Sequence, residues 1–236
     1  MKRIFLQVSS GLGQRLDKTI HQKKQYYKFN NVPSFVYPLK TAFDSNIFNF
    51  IILVINKDDY LLTINYLKKY NLRDKVLITY GGDTRTASVY NGLKIIKNLN
   101  LKDDINVFIH DGARILLSKE LIFKLNKFYL NEGIIIPFIP IYDSLYSFKE
   151  NNYVERSEII SLQTPQVCNF NYLYSLFRKI ENSNLSFKDE GSIIKYFQGP
   201  LVFVNGQFTN YKLTDASSLN LIRKLIKWVT KLKNIM

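Results

Sequence analysis

The residues able to do chemistry gather in three short clusters, each placed just after an apolar run. The first is Ser9-Ser10-Gly11-Leu12-Gly13-Gln14-Arg15, and Lys23-Lys24 follow it closely. Two glycines after a buried strand let backbone N–H groups approach a phosphate, and the basic residues add charge. Neither common nucleotide motif is met. A dinucleotide fingerprint needs a third glycine where Leu16 stands, and a P-loop needs Gly-Lys-Ser/Thr. No acidic strand end follows at the distance where a ribose ligand would be expected. Taken alone, this cluster reads equally well as a plain turn with solvated basic residues.

The second cluster is Gly81-Gly82-Asp83-Thr84-Arg85-Thr86-Ala87-Ser88. Glycines, an acid and a serine at a helix start can hydrogen-bond a base edge; the plainer reading is a helix N-terminus capped by Asp83 or Thr84. The third is His110-Asp111-Gly112-Ala113-Arg114. A carboxylate there can hold a ribose hydroxyl or a metal, and the arginine can grip an anion, unless the two form a surface ion pair. His110 has no partner residue in view and reads as structural.

The elements that must position these clusters follow from hydrophobic periodicity. Strands are expected at residues 4–8, 48–55, 76–80, 105–110, 133–139 and 201–204. Helices are expected at 58–70, 86–99, 119–129 (capped by Ser118), 169–180, 189–196 and 215–233 (capped by Thr214). Strands and helices alternate over the first 140 residues or so, the pattern of a parallel sheet covered on both faces. Ligands of such sheets bind beyond the carboxyl ends of the strands, where all three clusters fall. Residues 140–163 alternate polar and apolar side chains around Asn151-Asn152 and read as a hairpin-like arm. Residues 210–213 read as a short edge segment. No linker or repeat divides the 236 residues, so a single domain over 1–236 is expected, with the arm at about 138–163.

Composition narrows the function classes. The single cysteine, Cys168, excludes an internal disulfide and a Cys-rich zinc site, and it reads as a small core residue. No run of about 18 uncharged apolar residues occurs, so no membrane span is expected. The start resembles a signal peptide but its apolar run breaks at once into Ser-Gly, so a cytoplasmic protein is expected. The formal charge of +14 suits anionic partners, although lysines are scattered rather than clustered. The basic, amphipathic final helix packs on its own domain in the favoured reading, over one in which it lies on a membrane surface.

Taken together, the motifs resemble those of the 2-C-methyl-D-erythritol 4-phosphate cytidylyltransferase family of the non-mevalonate isoprenoid pathway. The resemblance covers nearly the whole chain in order: SSGLGQR, KKQY at Lys23–Tyr26, GGDTRTASVYNGL, HDGAR, Asp143-Ser144, VERSEIISLQTPQ, KDEGS and NYKLT. The combination is specific where each motif alone would not be. It implies a Rossmann-like α/β fold of nucleotidyltransferase type, a mostly parallel sheet with helices on both faces, plus a protruding β-arm.

The resemblance also implies roles. Ser9, Ser10, Gly11 and Gly13 would wrap the nucleotide; Gly82, Asp83 and Ser88 would read the base; Asp111 and Gly112 would hold the ribose, with Asp111 beside Mg²⁺ or another divalent cation. Arg15, Lys24 and Lys212 match the catalytic and phosphate-binding cations. Arg114, Ser144, Arg156, Thr164 and Lys188 match positions around the polyol phosphate. The family is a homodimer whose arm, with Ser144 and Arg156, enters the neighbour's site. The chemistry agrees: a phosphate monoester with second pKa about 6 is already ionised, so the barrier is bringing it against a triphosphate. Positioning and charge neutralisation must supply the catalysis. This chain departs from the family pattern at Ser9-Ser10 (usually Ala-Ala), in a longer loop between Arg15 and Lys24, at Ile115 (usually Pro), at Ser144 (usually Thr) and at Lys188 (usually Thr).

The reading is therefore CMP transfer from CTP to 2-C-methyl-D-erythritol 4-phosphate. The related ribitol 5-phosphate cytidylyltransferases share QTPQ and Asn-x-Lys-x-Thr and stand as the alternative. A basic nucleic-acid-binding module is the alternative of another class, and it would require clustered basic residues with exposed aromatics.

Overall fold

The computed structural model describes residues 1–11, 23–181, 183, 185 and 187–233. The strands are β1 (Lys2–Val8), β2 (Lys28–Phe29), β3 (Val32–Pro33), β4 (Phe50–Ile55), β5 (Val76–Tyr80), β6 (Ile105–Asp111), β7 (Ile134–Pro140), β8 (Leu145–Ser147), β9 (Asn152–Val154), β10 (Ile160–Leu162), β11 (Gln166–Asn169) and β12 (Leu201–Asn205). The helices are α1 (Val36–Asp44), α2 (Tyr60–Lys69), α3 (Arg85–Asn98), α4 (Lys119–Leu125), α5 (Phe170–Ile180), α6 (Glu190–Tyr196) and α7 (Ala216–Lys233).

β1 sits mid-sheet because its apolar run can be buried on both faces. It pairs in parallel with β4 on one side and β6 on the other, and β5 extends the sheet beyond β4. Side chains alternate across the sheet. Ile4 and Leu6 pack with Val89, Leu93, Leu173 and Phe177 of α3 and α5, while Phe5 packs with Leu39, Leu67 and Leu121 of α1, α2 and α4. Helices therefore cover both faces, as the alternation of elements predicts.

The helix starts are set by side-chain caps that bond an otherwise orphaned N–H. Thr84 accepts from Ala87 N at 3.0 Å, Ser118 from Leu121 N at 3.1 Å and Asn169 from Tyr172 N at 3.0 Å. Asp189 and Ser192 form a reciprocal capping box at α6.

Several sequence expectations are corrected. The parallel succession does not continue directly into β7, which reaches β6 only through the antiparallel β11. β11 is four residues behind a proline, too short to show a period of its own. β2, β3 and α1 fill residues 28–44, where no element is expected from the pattern; α1 starts without a side-chain cap and carries Pro38 in its first turn, which hides it. Residues 210–213 form no strand; Leu213 N instead donates to Ala113 O at 2.9 Å. α4 stops at Leu125, short of 129. Asp215, rather than Thr214, caps α7, its Oδ1 accepting from Ser218 N at 2.8 Å.

α7 lays Leu219, Ile222 and Ile226 on Phe29, Ile115 and Leu213. Each such burial is worth about 1.5–3 kcal/mol, enough to keep the helix on its own domain. Among the described residues, no helix is long and apolar enough to cross a membrane. Cys168 is a buried core residue whose thiol donates to Gly133 O. The arm proper is the β8–β9 hairpin with its flanks, because residues 138–140 and 160–162 still belong to the main sheet.

Candidate active site

The carboxyl ends of β1, β4, β5 and β6 open into a cleft of about 600 Å³. The strand ends are knitted together: Ser9 N donates to Val54 O (2.8 Å), Gly81 N to Ile55 O (2.8 Å) and Gly112 N to Val8 O (2.9 Å). A side chain at Gly112 would strike Ser9 Oγ, and one at Gly81 would strike Ser10 Cβ, so both turns need glycine to abut the β1 loop. Ser9, Ser10, Gly11, Gly82, Asp83, Ser88, Asp111 and Gly112 all line this cleft, and so do Lys24 and Lys212 from distant parts of the chain.

At one end of the cleft, hydroxyls are fastened to the backbone. Ser88 Oγ donates to Thr84 O (2.9 Å) and accepts from Gly82 N (3.1 Å), and Ser10 Oγ stands 3.0 Å from it. Ser9 is buried and accepts from the Gln7 amide.

At the other end lies a charge network. Asp111 Oδ2 accepts from Lys212 Nζ at 2.6 Å, and Oδ1 accepts from Arg85 Nε at 3.0 Å. Arg85 reaches back to Glu190 through two parallel bonds of 2.7 and 3.0 Å. Burial alone would raise the Asp111 carboxyl, but the Arg85 and Lys212 charges outweigh it and hold it well below the usual carboxylate range. Glu190 shifts the other way, because burial pushes it up more than Arg85 pulls it down. Burial would lower the Arg85 guanidinium, yet the two carboxylates raise it.

Behind Asp111 a relay fixes its backbone. Asp111 N donates to Thr164 Oγ1 at 3.0 Å, and that hydroxyl lies 3.1 Å from His110 Nδ1. His110 Nε2 lies 3.0 Å from the Arg114 carbonyl, which can only accept, so Nε2 carries the proton and Nδ1 accepts from Thr164. Burial pushes His110 down to about 4, so the ring is neutral near pH 7 and structural, as its sequence context suggests.

The expected site residues thus divide. Gly13 and Arg15 lie outside the described residues. Lys24 lines the cleft while Lys23 pairs with Asp59 at 2.7 Å. Thr164 and Arg114, expected around the polyol phosphate, do not line the cleft. Thr164 holds the Asp111 backbone, and Arg114 donates to Asn210 O (3.0 Å) and Leu162 O (2.9 Å), tying loops together. Ser144, Arg156 and Lys188 are exposed and lie off the cleft of this single chain. Arg85, Gln25 and Asn56 line the cleft without having been singled out, and Glu190 lies behind Arg85. Arg85 and Glu190 stand inside GGDTR and KDEGS, so a charged residue within a motif is the signal that would have found them.

No cluster of three or more His, Cys, Asp or Glu residues suited to a metal occurs among the described residues. Among the described residues, Asp83 and Asp111 are the carboxylates lining the cleft, and both oxygens of Asp111 carry a cation. Such a donor set suits an ion that keeps most of its ligands from phosphates and water, as Mg²⁺ does, rather than an all-protein cage.

Glycine turns, fastened hydroxyls and convergent cations at the strand ends of an α/β sheet suit a phosphorylated nucleotide. A family model described as IspD: 2-C-methyl-D-erythritol 4-phosphate cytidylyltransferase matches residues 4–227. The enzyme of that name from Clostridium botulinum is 33% identical over 220 residues, covering 90% of this chain and 93% of its own. The structure of 4-diphosphocytidyl-2C-methyl-D-erythritolsynthase from Anaerococcus prevotii superposes with a TM-score of 0.80 at 24% identity, covering 96% of both chains. The bifunctional IspDF of Campylobacter jejuni gives 0.76 at 25% identity over 93% of this chain, which spans 54% of that longer protein. The chain belongs to the 2-C-methyl-D-erythritol 4-phosphate cytidylyltransferase family.

Proposed function

We propose that this chain transfers the cytidylyl group of CTP to 2-C-methyl-D-erythritol 4-phosphate and releases pyrophosphate, in the synthesis of isoprenoid precursors. The observation that carries this reading is the meeting of Lys24 and Lys212 with Asp111 in one cleft at the strand ends. Family membership favours it over ribitol 5-phosphate transfer and over a nucleic-acid-binding module.

A phosphate oxygen of the polyol phosphate attacks the α-phosphorus of CTP, a new P–O–P bridge forms, and the bond to the β-phosphate breaks. The nucleophile is already ionised, so no general base is needed. The cations let two anions approach and neutralise charge that builds on the departing pyrophosphate. In this reading Ser88, Gly82 and Asp83 face the base, Asp111 and Gly112 the ribose, and Lys24 and Lys212 the phosphates. Mg²⁺ would be held by Asp111 and the nucleotide's phosphates and would supply further positive charge.

The protein acts as a homodimer in this reading. The arm carries Tyr142, Phe148 and Tyr153 to solvent, with Phe148 94% and Tyr153 74% exposed. Exposed aromatic rings on a projecting hairpin suit burial against a second copy, which would bring Ser144 and Arg156 to the polyol phosphate. Pyrophosphate release measured with CTP, UTP, ATP and GTP against methylerythritol and ribitol phosphates tests the reaction. CTP with methylerythritol 4-phosphate is expected to win, and a clear preference for ribitol 5-phosphate would overturn the assignment.

A further inference from the structure

We propose that Arg85 and Glu190 form a positioning pair for Asp111, with Glu190 holding the guanidinium on Asp111 and away from the nucleotide's phosphates. The inference rests on the cytidylyl-transfer reading above, because it concerns what Asp111 does when a triphosphate enters.

Asp111 is shared by two cations of different kinds. Lys212 is a point charge on a flexible stem, 39% exposed, and makes one contact to Oδ2. Arg85 is 24% exposed and anchored three times, once to Asp111 and twice to Glu190. Phosphate can draw Lys212 off its carboxylate at little geometric cost. It cannot draw Arg85 off without stripping Glu190, which is 1% exposed and would be left as a buried, unpaired charge. The arrangement therefore sorts the cations, so that Lys212 is free to follow phosphate and Arg85 stays to orient Asp111.

The fold fixes Glu190 firmly enough for this task. Gln166 donates to Asp189 Oδ2 and accepts from Gly191 N, both at 2.9 Å, so the residues flanking Glu190 are clamped to β11. A side chain at Gly191 would press on Ile136, so α6 lies close against the sheet and Glu190 is sealed beneath it. Without Glu190, Arg85 would be released to turn toward phosphate in a cleft that, among the described residues, Lys24 and Lys212 already line. It would then grip the triphosphate in the ground state and leave Asp111 poorly oriented.

The test is steady-state kinetics of Glu190→Gln with CTP and methylerythritol phosphate, beside calorimetric CTP binding and a thermal melt. The expected result is a kcat lowered by roughly 10- to 100-fold, the cost typical of losing an orienting partner. KM for CTP and the CTP dissociation constant should be unchanged or lower, since only transition-state interactions are lost. Arg85→Lys, which keeps the charge but cannot span two carboxylates, should show the same kcat loss without rescue. If Glu190→Gln melts far below the parent, the double variant Arg85→Gln with Glu190→Gln removes both buried charges and takes its place. It should lose kcat to about the same degree, with CTP binding retained. Normal kcat in the folded variants, or a loss confined to KM, would overturn the proposal. A parent protein that turns over no CTP would instead overturn the proposed function.

Discussion

Lys212 and Asp111 stand 101 positions apart in the chain and meet at 2.6 Å. The loop that delivers the lysine is pinned on both sides of it. Asn210 Nδ2 donates to Thr164 O (2.7 Å), Arg114 donates to Asn210 O (3.0 Å) and Leu213 N donates to Ala113 O (2.9 Å). Asn210, Thr164 and Arg114 thus bring Lys212 to the carboxylate without themselves lining the cleft. In the resting cleft an incoming phosphate must compete with Asp111 for this ammonium.

Lys212→Ala should therefore harm turnover far more than fold. Asp111 keeps Arg85 as a partner when the lysine is gone, so the loss should be about the 0–1 kcal/mol of a part-exposed pair. Removing one preorganised charge from a developing anion costs roughly 10²–10³ in rate. A pyrophosphate-release assay paired with a denaturant melt checks both halves. A rate within threefold of the parent would show that Lys212 does not face the phosphates.

Two adjacent lysines should behave as opposites. Lys24→Ala removes a cleft cation and should lower kcat/KM by orders of magnitude with the melt preserved. Lys23→Ala leaves the buried Asp59 carboxylate without its 2.7 Å partner, which should cost about 1–3 kcal/mol of stability and little activity. The reverse pattern, activity lost at 23 and retained at 24, would shift the loop register by one.

Much of the cleft is legible in sequence because its residues stand in glycine-containing turns directly after apolar strands. Ser9 to Gly11, Gly82 and Asp83, and Asp111 and Gly112 belong to local patterns that survive without tertiary knowledge. The relations that fail to show are those made by packing. Nothing local says that Glu190 is buried behind Arg85, that Thr164 faces the backbone of Asp111, or that Arg114 reaches the Asn210 and Leu162 carbonyls. β11 is invisible for the same reason. Its four residues become a strand through the edges of β6 and β7 on either side, and short strands depend on their neighbours more than on propensity.

The arm predicts shared sites. If Arg156 serves the neighbour's cleft, a mixture of inactive Arg156→Ala and inactive Lys24→Ala chains should regain activity. A mixed dimer pairs one intact site with one doubly damaged site, so random mixing should restore about a quarter of the parental rate. Phe148→Glu, at the exposed tip of the hairpin, should shift sedimentation toward monomer. Complementation that never exceeds the sum of the separate variants would place Arg156 outside the neighbouring site.

Acid should weaken the fold through His110. The ring has a folded pKa of about 4 against an ordinary 6.5, because burial penalises its charged form. The unfolded chain therefore binds the extra proton first, between pH 6.5 and 4. The neutral ring's contribution is complete above pH 6.5 and is lost as pH falls through 4, amounting to about 3 kcal/mol over that window. Asp111, held low, loses its contribution only at more acid pH, and Glu190, held high, changes in the opposite sense. Comparing the parent with His110→Gln cancels both. Unfolding free energy followed from pH 7.5 to pH 4.5 should fall more steeply for the parent, the gap between the two narrowing toward acid. Parallel curves across that range would mean that the folded ring takes up its proton as readily as the unfolded chain, so that burial does not hold His110 neutral.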